Sequence, residues 1–241
     1  MGTYLYHAQP DLYEHDAVVL QARGDAVVLD RWALHPGGGG QVPDRAVLRF
    51  AGGSANVVDV LTEDGVHWLR LDAPAPLAPG DAVTVHVDRD WRHVLAQLHT
   101  ATHILNALVY QRFAGALVTG AQINGDGTAR MDFDLPQVDN DLLRALGDEI
   151  NAVVRDGREV RAFYVSQEEA RATHGLIRSM SVAPPPTDDG RVRIIDIAGL
   201  DRQACGGTHL ANTAQSLPVA ITKIENKGKQ NRRVRIALVQ P

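Results

Sequence analysis

Through residue 88 the chain alternates short apolar runs with turn-forming residues. Positions 17–21, 26–29, 46–50, 56–61, 66–71 and 82–87 are rich in Val and Leu, several alternate, and Gly, Asp and Pro separate them. Regular spacing of such segments predicts a small barrel or sandwich. Residues 72–81 (DAPAPLAPGD) form a Pro-rich connection before the last segment. From Asp88 the period changes. Residues 90–113 carry Leu, Ala, Val and Ile at three- and four-residue spacing, with an acidic first turn and Gly115 beyond the end. That predicts a helix of about six turns. Strands are expected at 117–123, 129–133, 159–165, 191–197, 219–225 and 233–239, and a second helix at 140–155 followed by Gly157. A short helix at 166–173 is opened by a Ser-x-x-Glu capping pattern, Ser166 with Glu169. Pro184–Pro186 with Asp188, Asp189 and Gly190 reads as an exposed loop.

The expected fold class is therefore α+β. A small N-terminal β-barrel carries the glycine-rich run over 1–88. A two-layer α/β domain, a long helix against an antiparallel sheet, follows over 89–241.

Composition narrows the function classes. With 44% apolar residues the 241-residue chain can bury a core, and 22% charged residues is the globular average rather than that of a disordered chain. The apolar runs, such as 17–20, fall far short of the roughly 20 residues of a membrane span. The N-terminus lacks a basic start followed by an apolar stretch, so no secretory signal is expected. Cys205 is the only cysteine, which excludes an intrachain disulfide and points to the cytoplasm. An aromatic content of 5% disfavours a protein that stacks successive bases. The net charge of −5 does not suggest a general nucleic-acid binder, but the charge is unevenly spread. Residues 223–235 (KIENKGKQNRRVR) hold six Lys or Arg and one Glu. One positive patch on an acidic body suits a small anionic contact better than a long duplex track.

The candidate chemistry lies in two motifs. His99 and His103 are four apart in the expected long helix, so their side chains share one face. Alone, such a pair also suits an ordinary helix surface or core. Cys205-Gly-Gly-Thr-His209 adds a thiolate and an imidazole on one short turn, whose glycines would let the backbone bend around an ion. One cysteine and three histidines match a borderline-soft tetrahedral ion, zinc. No His-Glu-x-x-His sequence is present. The glycine run 37–40 is followed by Gln41-Val-Pro rather than by Lys-Ser or Lys-Thr, which disfavours a nucleotide P-loop and leaves a tight turn with glycines at positive φ.

Together the motifs resemble a known family. His99-Thr-Ala-Thr-His103 followed far downstream by Cys205-Gly-Gly-Thr-His209 resembles the editing domain of alanyl-tRNA synthetase, and is similar to the related domain of threonyl-tRNA synthetase. Residues 192–197, Asn212 with Thr213, and 227–233 extend the likeness. Pro36-Gly-Gly-Gly-Gly-Gln41 with Asp44 resembles the glycine-rich motif of the same family, although His35 and Val42 stand where an aromatic residue and a proline are commoner. The chain is too short for an aminoacylation domain as well, so it resembles a free-standing editing protein of the AlaX group in its medium-length form.

The resemblance implies a zinc-dependent hydrolase that releases serine or glycine from the 3′-terminal ester of mischarged tRNA(Ala). It implies His99, His103, Cys205 and His209 as ligands of Zn2+. Thr102, Thr119 and Gln122 would line the acyl pocket, with Thr119 reading the serine hydroxyl. Gly38, Gly39, Gly40, Gln41 and Asp44 would form a loop beside that pocket, and Thr208 would support the metal turn. Lys227, Lys229, Arg232 and Arg233, near a hairpin tip at Gly228, would seat tRNA phosphates. Four protein ligands close a tetrahedral site, as in structural zinc. A non-catalytic tRNA- or protein-binding module, or a zinc hydrolase for another small ester or amide, is therefore the competing expectation.

Overall fold

The structure is a computed structural model that describes residues 3–136, 138–180 and 189–240. The loop expected around Pro184–Pro186 and Asp188 lies outside the described residues. The elements in chain order are β1 (Thr3–Tyr4), α1 (Leu5–Ala8), β2 (Glu14–Arg23), β3 (Ala26–Leu29), β4 (Arg31–Trp32), β5 (Ala46–Phe50), β6 (Gly53–Glu63), β7 (Val66–Leu71) and β8 (Ala82–Val87). The long helix α2 (Arg89–Arg112) follows, then β9 (Val118–Ile123), β10 (Thr128–Asp134), α3 (Asn140–Asp156), β11 (Val160–Val165), α4 (Gln167–Ala172), β12 (Val192–Ile197) and β13 (Asp201–Ala204). A 3-10 turn at Thr213–Gln215, then β14 (Val219–Lys227) and β15 (Asn231–Leu238), complete the chain. The class is α+β, as expected. The chain divides into two compact units, Met1–Gly38 with Val42–His93, and Gly39–Gln41 with Val94–Pro241.

In the first unit the six expected strands close a barrel in the order β2-β3-β7-β6-β5-β8. Alternation supplies the physical cause. Ala17 and Val19 on β2, and Ala55 and Val57 on β6, point inward, while the residues between them are exposed. Leu29, Leu48, Leu69 and Val85 meet there with no exposed surface. Truncating any of these leucines to Ala should cost about 2–5 kcal/mol. All four residues of β3 are buried: Val27 and Leu29 belong to the barrel core, whereas Ala26 and Val28 cluster with Trp68. β1, β4 and α1 were not expected, since two to four residues carry no readable period.

Asp44 is 1% exposed in this unit and accepts from His35 N at 2.6 Å and Arg92 Nε at 3.0 Å. Arg92 also donates to the carbonyl of Ala33. Asp44 thus clasps the segments on either side of the glycine run to the start of α2.

The second unit contains a four-stranded antiparallel sheet, β14-β15-β10-β9, and a three-stranded one, β11-β12-β13. Helix α2 is buried at every position from Leu95 to Val109. A helix enclosed all round must satisfy its polar side chains internally, and three of them find partners in one distant stretch. Gln97 Oε1 accepts from Leu217 N at 2.7 Å, Thr100 Oγ1 accepts from Leu210 N at 3.2 Å, and Asn106 Nδ2 donates to Gln203 Oε1 at 2.6 Å. These bonds fix the register of α2 against residues 203–217. Helix α3 starts at the N-cap Asp139 and stops at Gly157 in the left-handed region. Its Asn151 closes a two-way amide bond with Val219 at the start of β14, 2.8 Å each way. Ser166 caps α4 by accepting from Glu169 N at 3.0 Å.

Candidate metal centre

His99 and His103 stand one turn apart on the buried part of α2. Strand β13 runs antiparallel to β12 and delivers Cys205 directly after its last residue. The four donor groups of His99, His103, Cys205 and His209 lie within 4.8 Å of one another, although His99 and Cys205 are 106 positions apart. Cys205 Sγ is 3.3 Å from His99 Nε2 and 3.4 Å from His209 Nε2. A tetrahedral zinc with bonds of about 2.0–2.3 Å would set such atoms roughly 3.3–3.6 Å apart.

Several groups hold this constellation in place. Gln41 is 3% exposed, and its Oε1 lies 2.7 Å from His99 Nδ1. The same amide meets Thr208 twice, accepting from its backbone N at 3.2 Å and donating to its hydroxyl at 2.9 Å. Thr100 Oγ1 stands 3.4 Å from His209 Nδ1. Arg193, 6% exposed, donates from Nη1 to the carbonyls of Cys205 at 3.1 Å and Gly207 at 2.9 Å, tying the first half of the turn to β12. Gly207 is required by space rather than by backbone bending: a Cβ there would collide with the His99 ring and approach Gln41 Oε1 to 2.9 Å.

The electrostatics favour neutral ligands. Burial, helped by the charges of Arg178 and Arg193, pushes the His103 imidazole down to about 3, so it is in the ligating form at neutral pH. Burial pushes the Cys205 thiol up, against the opposing effects of the Gly207 N–H and Arg193. Nδ1 of His103 is buried with no hydrogen-bond partner among the described residues. An orphaned imidazole nitrogen is costly in a dry interior. It fits a donor set of three imidazoles and one thiol that could hold a cation.

The other expected residues are placed as follows. Gly37, Gly38, Gly39 and Gly40 all have positive φ, at 88°, 104°, 60° and 90°. Gly40 lies so close to Ala121 that a Cβ would meet its backbone at 2.9 Å, and Gly40 O accepts from Ile123 N at 2.7 Å. The loop thereby delivers Gln41 to the cluster. Asp44 does not follow it there; its contacts are those in the first unit. Thr102 is buried and donates to the carbonyl of His99 at 2.7 Å, an ordinary helix bond. Thr119, at a bulge between β9 and β10, donates to Asn231 Oδ1 at 3.1 Å. Gln122 is exposed and bonds Arg130 and Asn124, each at 3.1 Å.

The basic hairpin β14–β15 turns at Gly228, with Lys227 and Lys229 exposed. Arg232 reaches the Asn231 carbonyl at 3.4 Å, while Arg233 makes a two-pronged bond to Asp132, 2.7 Å on each oxygen. Arg235 and Lys223 share Glu225 at 2.6 and 3.2 Å. Three of the run's six cations are therefore ion-paired, sharing two carboxylates. Arg193 and Thr100 were not anticipated, because nothing local to either residue signals a partner in the distant turn.

A sequence profile described as the threonyl and alanyl tRNA synthetase second additional domain matches residues 192–235, the stretch holding β12, the cysteine turn and the basic hairpin. Over nearly its whole length the chain is similar to alanyl-tRNA editing proteins AlaX-M. Identity is 33% to that of Saccharolobus solfataricus, covering 97% of this chain and 98% of the relative. It is 35% to that of Methanosarcina acetivorans, covering 99% and 100%. The alanine–tRNA ligase of Frankia alni is 34% identical over 86% of this chain, a region that makes up 23% of the ligase. The chain belongs to the AlaX-M family of alanyl-tRNA editing proteins. No described helix is long and apolar enough to cross a membrane.

Proposed function

We propose that the chain is a zinc-dependent deacylase acting in trans on mischarged tRNA(Ala), releasing serine and, as the smaller alternative, glycine. The reading is carried by one observation: in a member of this editing family, three imidazoles and one thiol from two distant segments converge within 4.8 Å. His99, His103, Cys205 and His209 would hold the ion, and zinc that gave up one of these ligands or took on a fifth would supply electrophilic polarisation of an ester carbonyl. The chain's own residues do the rest. Gln41 and Thr100 orient His99 and His209. Arg193 rigidifies the turn and adds a fixed positive charge beside it. Burial of α2 shields the His99 and His103 side of the cluster from bulk solvent, where fixed dipoles act most strongly.

Discrimination is between a hydroxymethyl and a methyl group. Thr102, Thr119 and Gln122 are the proposed selectors. Thr119 gives its hydrogen to Asn231, so its oxygen keeps lone pairs that can accept from a serine hydroxyl. Alanine would leave that acceptor unpaired, and such a loss discriminates strongly. Phosphates of the tRNA are assigned to the hairpin tip, with Lys227, Lys229 and Arg232 foremost and Arg233 the least available of the four. A charged-tRNA substrate places the protein in the cytoplasm.

Seryl- and alanyl-tRNA(Ala) incubated with the protein test this reading. Serine should be released and alanine retained, and Cys205→Ala should lower the rate more than about 100-fold while the fold persists. Tight tRNA binding without release by the zinc-loaded protein would instead identify a non-catalytic module.

A further inference from the structure

We infer that Gln41, directly after the glycine run, is a positioning residue that locks His99 in the tautomer protonated on Nδ1. Its consequence for metal affinity rests on the zinc reading above; the tautomer itself does not.

Three contacts around Gln41 leave one solution. A backbone N–H can only donate, so the amide atom 3.2 Å from Thr208 N is the carbonyl oxygen. The amide nitrogen then faces the Thr208 hydroxyl and donates to it at 2.9 Å. The same Oε1 is 2.7 Å from His99 Nδ1 and has no hydrogen to offer, so Nδ1 must carry the proton. A neutral imidazole has one N–H, and the lone pair is left on Nε2, 3.3 Å from Cys205 Sγ, inside the cluster. The backbone of the cysteine turn thereby sets the protonation pattern of a histidine on α2, with Gln41 as the relay.

The relay explains two groups of glycines. Gln41 reaches the cluster because four consecutive residues before it adopt positive φ, which L side chains rarely do, and because Gly40 presses against the Ala121 backbone. At the other end, a Cβ on Gly207 would occupy the space where Gln41 Oε1 and His99 meet.

The test is nuclear magnetic resonance of the metal-free protein labelled with nitrogen-15, with long-range correlations reading the His99 ring. Wild type should show a protonated Nδ1 and an unprotonated Nε2. Gln41→Met, similar in length but lacking the acceptor, should give a mixture or the opposite tautomer. Its zinc affinity, measured by competition with a chromophoric chelator, should fall by about 10- to 100-fold. Gln41→Glu retains the acceptor and should keep both properties near wild type. Thr208→Val retains the backbone N–H and should keep the tautomer. A wild-type ring protonated on Nε2 overturns the inference without any variant, as does an unchanged tautomer in a folded Gln41→Met protein. Failure of wild type to bind zinc overturns the metal reading, and the ring spectrum decides the tautomer independently of it.

Discussion

The metal cluster and the basic hairpin are both marked in the sequence by dense functional chemistry, and the fold treats them in opposite ways. Four spaced motif residues converge at a largely buried site, with His209 half-buried, and His99 and His209 are oriented there by neutral partners. On the hairpin, Arg233 is bound by Asp132 and Arg235 by Glu225, leaving the tip as the free electrostatic surface. Spacing on a helix or in a tight turn dictates geometry, so a ligand motif carries its own structural consequence. A run of charges does not, because the carboxylate that neutralises it comes from elsewhere; Asp132 is 101 positions from Arg233.

The largest effect should follow removal of the thiol. Cys205→Ala should abolish stoichiometric zinc binding, and a strong chelator should lower the melting temperature of wild type but not of this variant. Thermal melts with and without chelator, beside metal analysis, check it. Equal chelator sensitivity in both proteins would break the comparison, since the interior site would then not depend on its motif. Gly207→Ala comes next. Its Cβ enters the His99 contact shell, so overpacking should cost about 1–3 kcal/mol. Displacement of the ring should weaken zinc binding by about 10- to 100-fold. Denaturant unfolding and chelator competition measure the two separately.

Much of this organisation is legible in the sequence. β3, β5, β7 and β8 fall at the residues expected from alternation, and α2 differs by one residue at each end. Apolar period and turn residues report such elements directly. β13 is hidden in the sequence because Asp201-Arg-Gln-Ala is short and polar; Asp201 is buried because Arg178 pairs with it at 2.7 Å and Gln203 donates to its other oxygen. The four cluster residues were legible as motifs. Their support was not: Gln41 meets His99 across 58 positions, and Arg193 serves the turn from the neighbouring strand. Gly207 was visible, but its reason is the bulk of a ring from α2, which no local pattern contains. Asp44 sits in the glycine-rich motif yet clasps Arg92 instead of joining Gln41.

On the hairpin, effects should be smaller and should separate exposed from paired cations. The double variant Lys227→Ala/Lys229→Ala should reduce the salt slope of tRNA binding by about two, at roughly 0.9 per lost phosphate contact. Arg233→Ala should change that slope by less than half as much. It should destabilise the fold instead, since Asp132 is held below the usual carboxylate range only because Arg233 and Arg130 outweigh the opposing effect of burial. Binding isotherms at several salt concentrations measure the first effect and thermal unfolding the second. A larger slope change for Arg233→Ala than for the lysine pair would show that Asp132 releases its partner to the nucleic acid.

The smallest effect concerns Glu225, the acid that Arg235 and Lys223 share. Hydrogen bonds from Arg235 first and Lys223 second hold its carboxyl down to about 2, against an ordinary value of 4.5. Folded Glu225 thus stays ionised where an unfolded glutamate takes up a proton. Its stabilising contribution is complete above pH 4.5 and drains away as the pH falls towards 2. Glu225→Gln should therefore be less stable than wild type by a constant margin at neutral pH, and the margin should close through that acid window. The pair is only partly buried, so salt should shrink the margin further. Denaturant midpoints at successive pH values, at low and high salt, follow it. A margin that persists to the bottom of the window would mean that the glutamate is held by its packing rather than its charge, and the paired half of the hairpin would then resemble the interior cluster after all.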